Sequence, residues 1–128
     1  MIAAAKTERN IRQKILVVDD EPSFRNILKK VLAGDGHNVT LAEDGFEGLR
    51  QLKIKSFEIV LTDINKPKID GWEFLKNVDA LYPELTTAVI TRLSSSERMP
   101  QGPSVSPKRI MQKPISIKNI RKLIQDLS

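Results

Sequence analysis

The chain has no cysteine, so disulfides, thiolate metal sites and cysteine nucleophiles are excluded. Its single histidine, His37, rules out a multi-histidine zinc centre. Aromatic residues make up only 5% of the chain, and none is interleaved with a basic run as a base-stacking surface requires. No apolar run approaches the ~20 residues of a membrane span. Met1-Ile2-Ala3-Ala4-Ala5 is too short for the apolar part of a secretory signal, and Lys6 follows at once. The sequence therefore reads as cytoplasmic, with no membrane partner. The net charge is +5, but the lysines and arginines are scattered, which fits a solvated surface better than a nucleic-acid footprint.

What is present is a core. The 128 residues, 40% of them hydrophobic, suit one domain. Lys14-Ile15-Leu16-Val17-Val18-Asp19-Asp20-Glu21 is an apolar run of strand length ending in three carboxylates. Bare burial of ionised carboxylates is costly, so water, a cation or a basic side chain must balance them. A second such strand end is Phe57-Glu58-Ile59-Val60-Leu61-Thr62-Asp63.

Residues 1–13 are polar, without a sustained apolar period, and read as a flexible N-terminal arm before a domain spanning 14–128. Strands are expected at 14–18, 38–42, 57–62, 86–91 and 109–112. Pro22 suits a first helical turn, and Phe24, Ile27, Leu28, Val31 and Leu32 follow at helical spacing. Gly34-Asp35-Gly36 stops that helix. Phe46, Leu49 and Leu52 mark a second helix. Trp72, Leu75, Val78 and Leu81 mark a third. Ile117, Ile120, Leu123, Ile124 and Leu127, behind a Ser116 cap, mark the last. His37 reads as a surface turn residue. Between 92 and 108, Pro100, Gly102, Pro103 and Pro107 leave room only for an irregular or shortened helix.

Strands alternating with helices imply right-handed βαβ units and a parallel sheet. Ligands of such sheets sit at the carboxyl ends of the strands, where Asp19, Asp20, Asp63, Thr91 and Lys113 are all expected. Taken singly, each has a plainer role. Asp19 and Asp20 can cap a helix, Asp63 can close a turn, Thr91 can end a strand, and Lys113 can sit on the surface.

Together, Val17-Val18-Asp19-Asp20-Glu21, Leu61-Thr62-Asp63, Pro67, Gly71, Thr91 and Lys113-Pro114 make the chain, over about residues 14–127, resemble the CheY-like receiver domain of bacterial two-component response regulators. The resemblance implies an α/β, flavodoxin-like three-layer fold with strand order 2-1-3-4-5. It makes Asp63 the phosphoacceptor, attacking the phosphohistidine of a sensor histidine kinase or phosphotransfer protein. Mg²⁺ is the implied cofactor, taken by the carboxylates of Asp20 and Asp63, by Asp19 through water, and by the backbone carbonyl of Asn65. Lys113 would pair with Asp63 and then with the phosphoryl oxygens, Thr91 would hydrogen-bond the phosphoryl group, and Lys113-Pro114 would be cis. On this reading the chain is a signalling phosphoacceptor rather than an enzyme, though it assists its own phosphorylation and dephosphorylation. It would switch an output domain or partner protein. Homodimer formation is left open, as is whether the receiver stands alone or is cut from a longer regulator.

Three departures from the pattern stand out. Arg92 follows Thr91 where the family usually has a small residue, so it would obstruct the pocket, turn outward, or add a charge partner for the phosphoryl group. Ile110 occupies the aromatic switch position. The 92–108 segment lacks a convincing helix. Lys66, where many members have methionine, is a lesser departure. They favour an alternative, a receiver-like interaction module without a phosphorylation switch. A nucleotide- or flavin-binding enzyme is disfavoured, because the loop after the first strand is acidic and has no Gly-rich cradle. Direct DNA binding is disfavoured too, since no helix-turn-helix unit remains.

Overall fold

The structure, a computed structural model, describes residues 12–64, 71–92 and 109–128. The strands β1 (Lys14–Val18), β2 (Asn38–Ala42), β3 (Ile59–Thr62), β4 (Thr86–Thr91) and β5 (Arg109–Gln112) form one parallel sheet in the order β2-β1-β3-β4-β5. The described helices are α1 (Pro22–Gly34), α2 (Gly45–Ile54), α3 (Gly71–Leu81) and α4 (Ile117–Leu127). The expected flavodoxin-like order is the one observed. The expectation of an irregular or shortened helix falls on residues 93–108, outside the described residues, as do the assignments to Asn65, Lys66 and Pro67.

The period-two alternation of strands sorts the core into two layers. Ile15, Val17, Ile59, Leu61, Ala88 and Ile90 meet Leu28 and Leu32 of α1 and Ile120, Leu123 and Ile124 of α4. Leu16, Val18 and Val60 point the other way, onto Leu52 of α2 and Phe74 and Val78 of α3. A smaller cluster joins Ile64, Leu75 and Val89. Both faces are thus covered, which is why β1 and β3 read as continuous apolar runs.

Local chemistry sets the element ends. Pro22 opens α1 with Glu21 as its N-cap. The helix closes through Gly36, whose φ of 99° is open to glycine but strained for other residues. The Asp44 carboxylate accepts from the Glu47 N–H at 2.8 Å to cap α2. The Ser116 hydroxyl oxygen accepts from the Asn119 N–H at 3.1 Å to cap α4. β3 begins two residues later than expected, at Ile59, with Phe57 buried just before it.

The helix faces need correction. Leu81, expected to face the core, is 62% exposed, and Ile27, Phe46 and Ile117, which mark their helices by apolar spacing, are 50%, 59% and 48% exposed. Phe74, which the spacing argument passed over, is fully buried. The reason is geometric. Three successive three-residue steps turn about 180° around a helix of 3.6 residues per turn, so Trp72 and Leu81 cannot share a face. The stripe that meets the sheet is Phe74, Leu75 and Val78.

Candidate functional site

The parallel sheet delivers its chemistry at one edge. β1 runs straight into Asp19, Asp20 and Glu21, β3 into Asp63, β4 through Thr91 into Arg92, and β5 into Lys113. Backbone bonds carry the ladder past the strand ends. The Asp63 N–H donates to the Val18 carbonyl at 3.1 Å, and the Lys113 N–H donates to the Thr91 carbonyl at 2.6 Å.

Lys113 is the hub. Its Nζ donates to Asp19 Oδ2 at 2.9 Å, Glu21 Oε1 at 3.1 Å and Asp63 Oδ2 at 3.3 Å. It also rests 4.1 Å from the centroid of the Phe24 ring, a cation–π contact on its remaining side. Lys113, Asp19 and Asp63 are all buried. Burial alone would pull the ammonium below its ordinary pKa, but the hydrogen bond and charge of Asp19, followed by Glu21 and Asp63, carry it above. Burial pushes the Asp19 carboxyl up, and the hydrogen bond from Lys113 offsets only part of this. Glu21 is held low, first by its hydrogen bond from Lys113. The Lys113-Pro114 peptide is cis.

Asp20 is exposed at the mouth of the same cavity. That cavity, of ≈ 310 Å³, is walled by Asp20, Glu21, Pro22, Asp63, Arg92 and Lys113. The structure therefore gathers Asp19, Asp20, Asp63 and Lys113. Thr91 is buried at the end of β4 and does not belong to the cavity wall. Asn65 lies outside the described residues. Ligand oxygens of Asp19, Asp20 and Asp63 all lie within 4.8 Å of one another. A sparse set of hard carboxylate oxygens fits Mg²⁺, which prefers oxygen and retains waters.

Arg92 does not separate Lys113 from Asp63, which are in contact. Its Nη2 instead pairs with Glu21 Oε2. Ile110, at the aromatic switch position, is 42% exposed on β5. Three contributors were missed in the sequence. Glu21 was visible as the third acid of the opening motif but carried no role. Phe24 was assigned to the core alone. Arg25 donates from Nη1 to the Asp19 carbonyl at 2.6 Å, and no spacing rule points to that contact.

Five parallel strands in this order with acids and a lysine at their carboxyl ends define a receiver-type site. The chain belongs to the response regulator receiver domain family, whose pattern it matches over residues 15–125. Transcriptional regulatory protein ZraR of Escherichia coli (strain K12) is 33% identical over 111 residues, covering 87% of this chain and 25% of ZraR. The chain thus spans about a quarter of the length of that curated relative. The chemotaxis response regulator CheY4 of Vibrio cholerae superposes with a TM-score of 0.84 at 28% identity, covering 92% of this chain and 100% of CheY4. Response regulator protein TrrA of Thermotoga maritima, solved in complex with Mg²⁺ and BeF, shares the fold, with a TM-score of 0.77 at 24% identity over 91% of this chain and 99% of TrrA.

Proposed function

We propose that this receiver accepts a phosphoryl group on Asp63 from a sensor histidine kinase or phosphotransfer protein. The observation that carries this reading is the contact of the buried Asp63 carboxylate with Lys113, beside Asp19 and Asp20. In the transfer, an Asp63 carboxylate oxygen forms the new O–P bond as the N–P bond of the donor breaks. The departing imidazole nitrogen keeps the electron pair. With its other ring nitrogen protonated, the group leaves neutral.

Such a reaction needs positioning and charge neutralisation more than covalent help. Burial in the sheet edge holds Asp63 in place. Lys113, already on Asp63, is set to follow the charge onto the phosphoryl oxygens. Asp19, Asp20 and Asp63 are the side chains that would hold Mg²⁺, with the Asn65 carbonyl as a further ligand. Bound there, the ion would neutralise phosphoryl oxygen charge and relieve repulsion among the acids. Thr91 is assigned to the phosphoryl group as a hydrogen-bond donor. The product is an aspartyl phosphate whose hydrolysis the same residues would assist. Its formation would bias an output domain or partner protein.

Incubation of the chain with acetyl phosphate and Mg²⁺, followed by intact-mass measurement, tests the proposal. One added phosphoryl group is expected on the wild type and none on Asp63→Asn. Labelling that persists in Asp63→Asn, or a wild type that takes none under conditions that label an ordinary receiver, would overturn it.

A further inference from the structure

Arg92 is the residue that the mechanism above leaves unused. Its position follows from the topology. In the order β1-β3-β4, Asp63 ends the middle strand, while Glu21 follows β1 and Arg92 follows β4. The Arg92–Glu21 ion pair, between residues 71 apart in sequence, therefore spans the strand end that carries Asp63. Both partners line the cavity that holds Asp63.

Glu21 holds two cations at once, Lys113 through Oε1 and Arg92 through Oε2. The two differ in freedom. The Lys113 side chain is 5% exposed, whereas that of Arg92 is 67% exposed. An exposed pair is weak and screened by solvent, so Arg92 can leave Glu21 at little cost. The charge balance gives it a reason to. Asp20, Glu21 and Asp63 outnumber the cations Lys113 and Arg92 among the described residues lining this cavity. An anionic donor approaching Asp63 meets that acidic rim, and the guanidinium is the exposed positive group on it. Its planar fork suits the oxygens of a phosphoryl group better than an ammonium does.

Building on the phosphoacceptor reading, we propose that Arg92 is a second phosphoryl-recognising cation, parked on Glu21 across the cavity mouth and transferred to the oxygens of the incoming donor. It neutralises Glu21 while the site is free, then binds the phosphoryl group as Asp63 attacks. With acetyl phosphate, the Asp63 oxygen forms the O–P bond and the acyl O–P bond breaks. Acetate leaves with the electron pair, and no proton moves. Arg92 takes no part in the bond changes. It sets how readily a phosphoryl anion enters.

The test compares labelling rates of wild type, Arg92→Ala, Arg92→Lys and Glu21→Gln with acetyl phosphate and Mg²⁺ at low and high ionic strength. The exposure of Arg92 favours a folded variant, which circular dichroism checks. At low salt, Arg92→Ala should lower the second-order labelling rate roughly 3- to 10-fold, the scale of one charge-assisted hydrogen bond near solvent. Arg92→Lys should fall between wild type and alanine, and Glu21→Gln should raise the rate. High salt should shrink the differences, which a purely structural role would not predict. An Arg92→Ala rate equal to or above that of a labelled wild type overturns the proposal alone. A wild type that takes no phosphoryl group overturns the phosphoacceptor reading and this proposal together.

Discussion

At the scale of single residues, burial biases the one histidine towards its neutral form. His37, expected as a surface turn residue, is half-buried, and its Nδ1 accepts the Gln13 N–H at 3.0 Å. That bond requires a lone pair on Nδ1, hence the neutral ring with its proton on Nε2. Burial lowers the His37 pKa below its ordinary 6.5, with the nearby Asp35 charge only partly opposing the shift. The unfolded chain therefore binds the proton first as the pH falls. The contribution of His37 is complete above about 6.5 and is lost as the pH drops through that value towards the lowered folded one. Urea unfolding at about pH 7.5 and about pH 5.5 reads this slope. Wild type should lose more stability on acidification than His37→Asn, which offers an acceptor that does not titrate. Equal losses would mean that His37 carries no proton linkage.

At the scale of elements, α2 and α3 pack so closely that one position tolerates no side chain. A Cβ on Gly48 would lie 2.9 Å from Phe74 Cε1 and 3.1 Å from both Phe74 Cζ and Val18 Cγ2. Phe74 and Val18 are fully buried, so neither can step aside into solvent. Two effects compete in Gly48→Ala. Alanine gains about 1 kcal/mol of helix propensity over glycine in a helix interior. Overpacking a tight core costs about 1–3 kcal/mol. With fixed neighbours the second should win, giving a net loss of up to about 2 kcal/mol in urea unfolding. Phe74→Leu in the Gly48→Ala background should cost less than it does in wild type, because it removes the clash. The same contact shows where sequence reading stops. Strand positions, the Pro22 start, the Gly36 stop and the Ser116 cap were legible because each is a local rule. The buried faces of α2 and α3 were not, because a three-residue spacing drifts around the helix and only the neighbouring layer selects the stripe.

At the scale of the whole molecule, the site was legible because a parallel sheet sends every strand end to the same edge. Runs such as Ile15–Val18 and Ile59–Leu61 announce strands buried on both faces, which puts the acids after them and Lys113 after β5 at one end of the sheet. The strand order that makes β1 and β3 neighbours, and the pairing of Lys113 with Asp63, came from the family resemblance. The direction of Arg92 was not legible, because an exposed guanidinium takes its partner from three-dimensional placement alone. The convergence also makes a thermodynamic prediction. Asp19 and Asp20 come from the end of β1 and Asp63 from the end of β3, 43 or more positions further along the chain. Their ligand oxygens gather within 4.8 Å only when the sheet is formed, so a dication binding there binds the folded state and not the unfolded one. Stabilisation then follows mass action, about 2.7 kcal/mol at a free Mg²⁺ concentration a hundredfold above Kd. For a domain of this size that raises Tm by several degrees. Lys113 already occupies Asp19 and Asp63 and competes for them, which lowers affinity without abolishing it, because Asp20 stays exposed and available. Thermal unfolding should therefore shift upward with added Mg²⁺, return with a chelator, and shift much less in Asp20→Asn. A Tm that ignores saturating Mg²⁺ would mean that no dication binds the three carboxylates, and that Lys113 balances Asp19 and Asp63 without one.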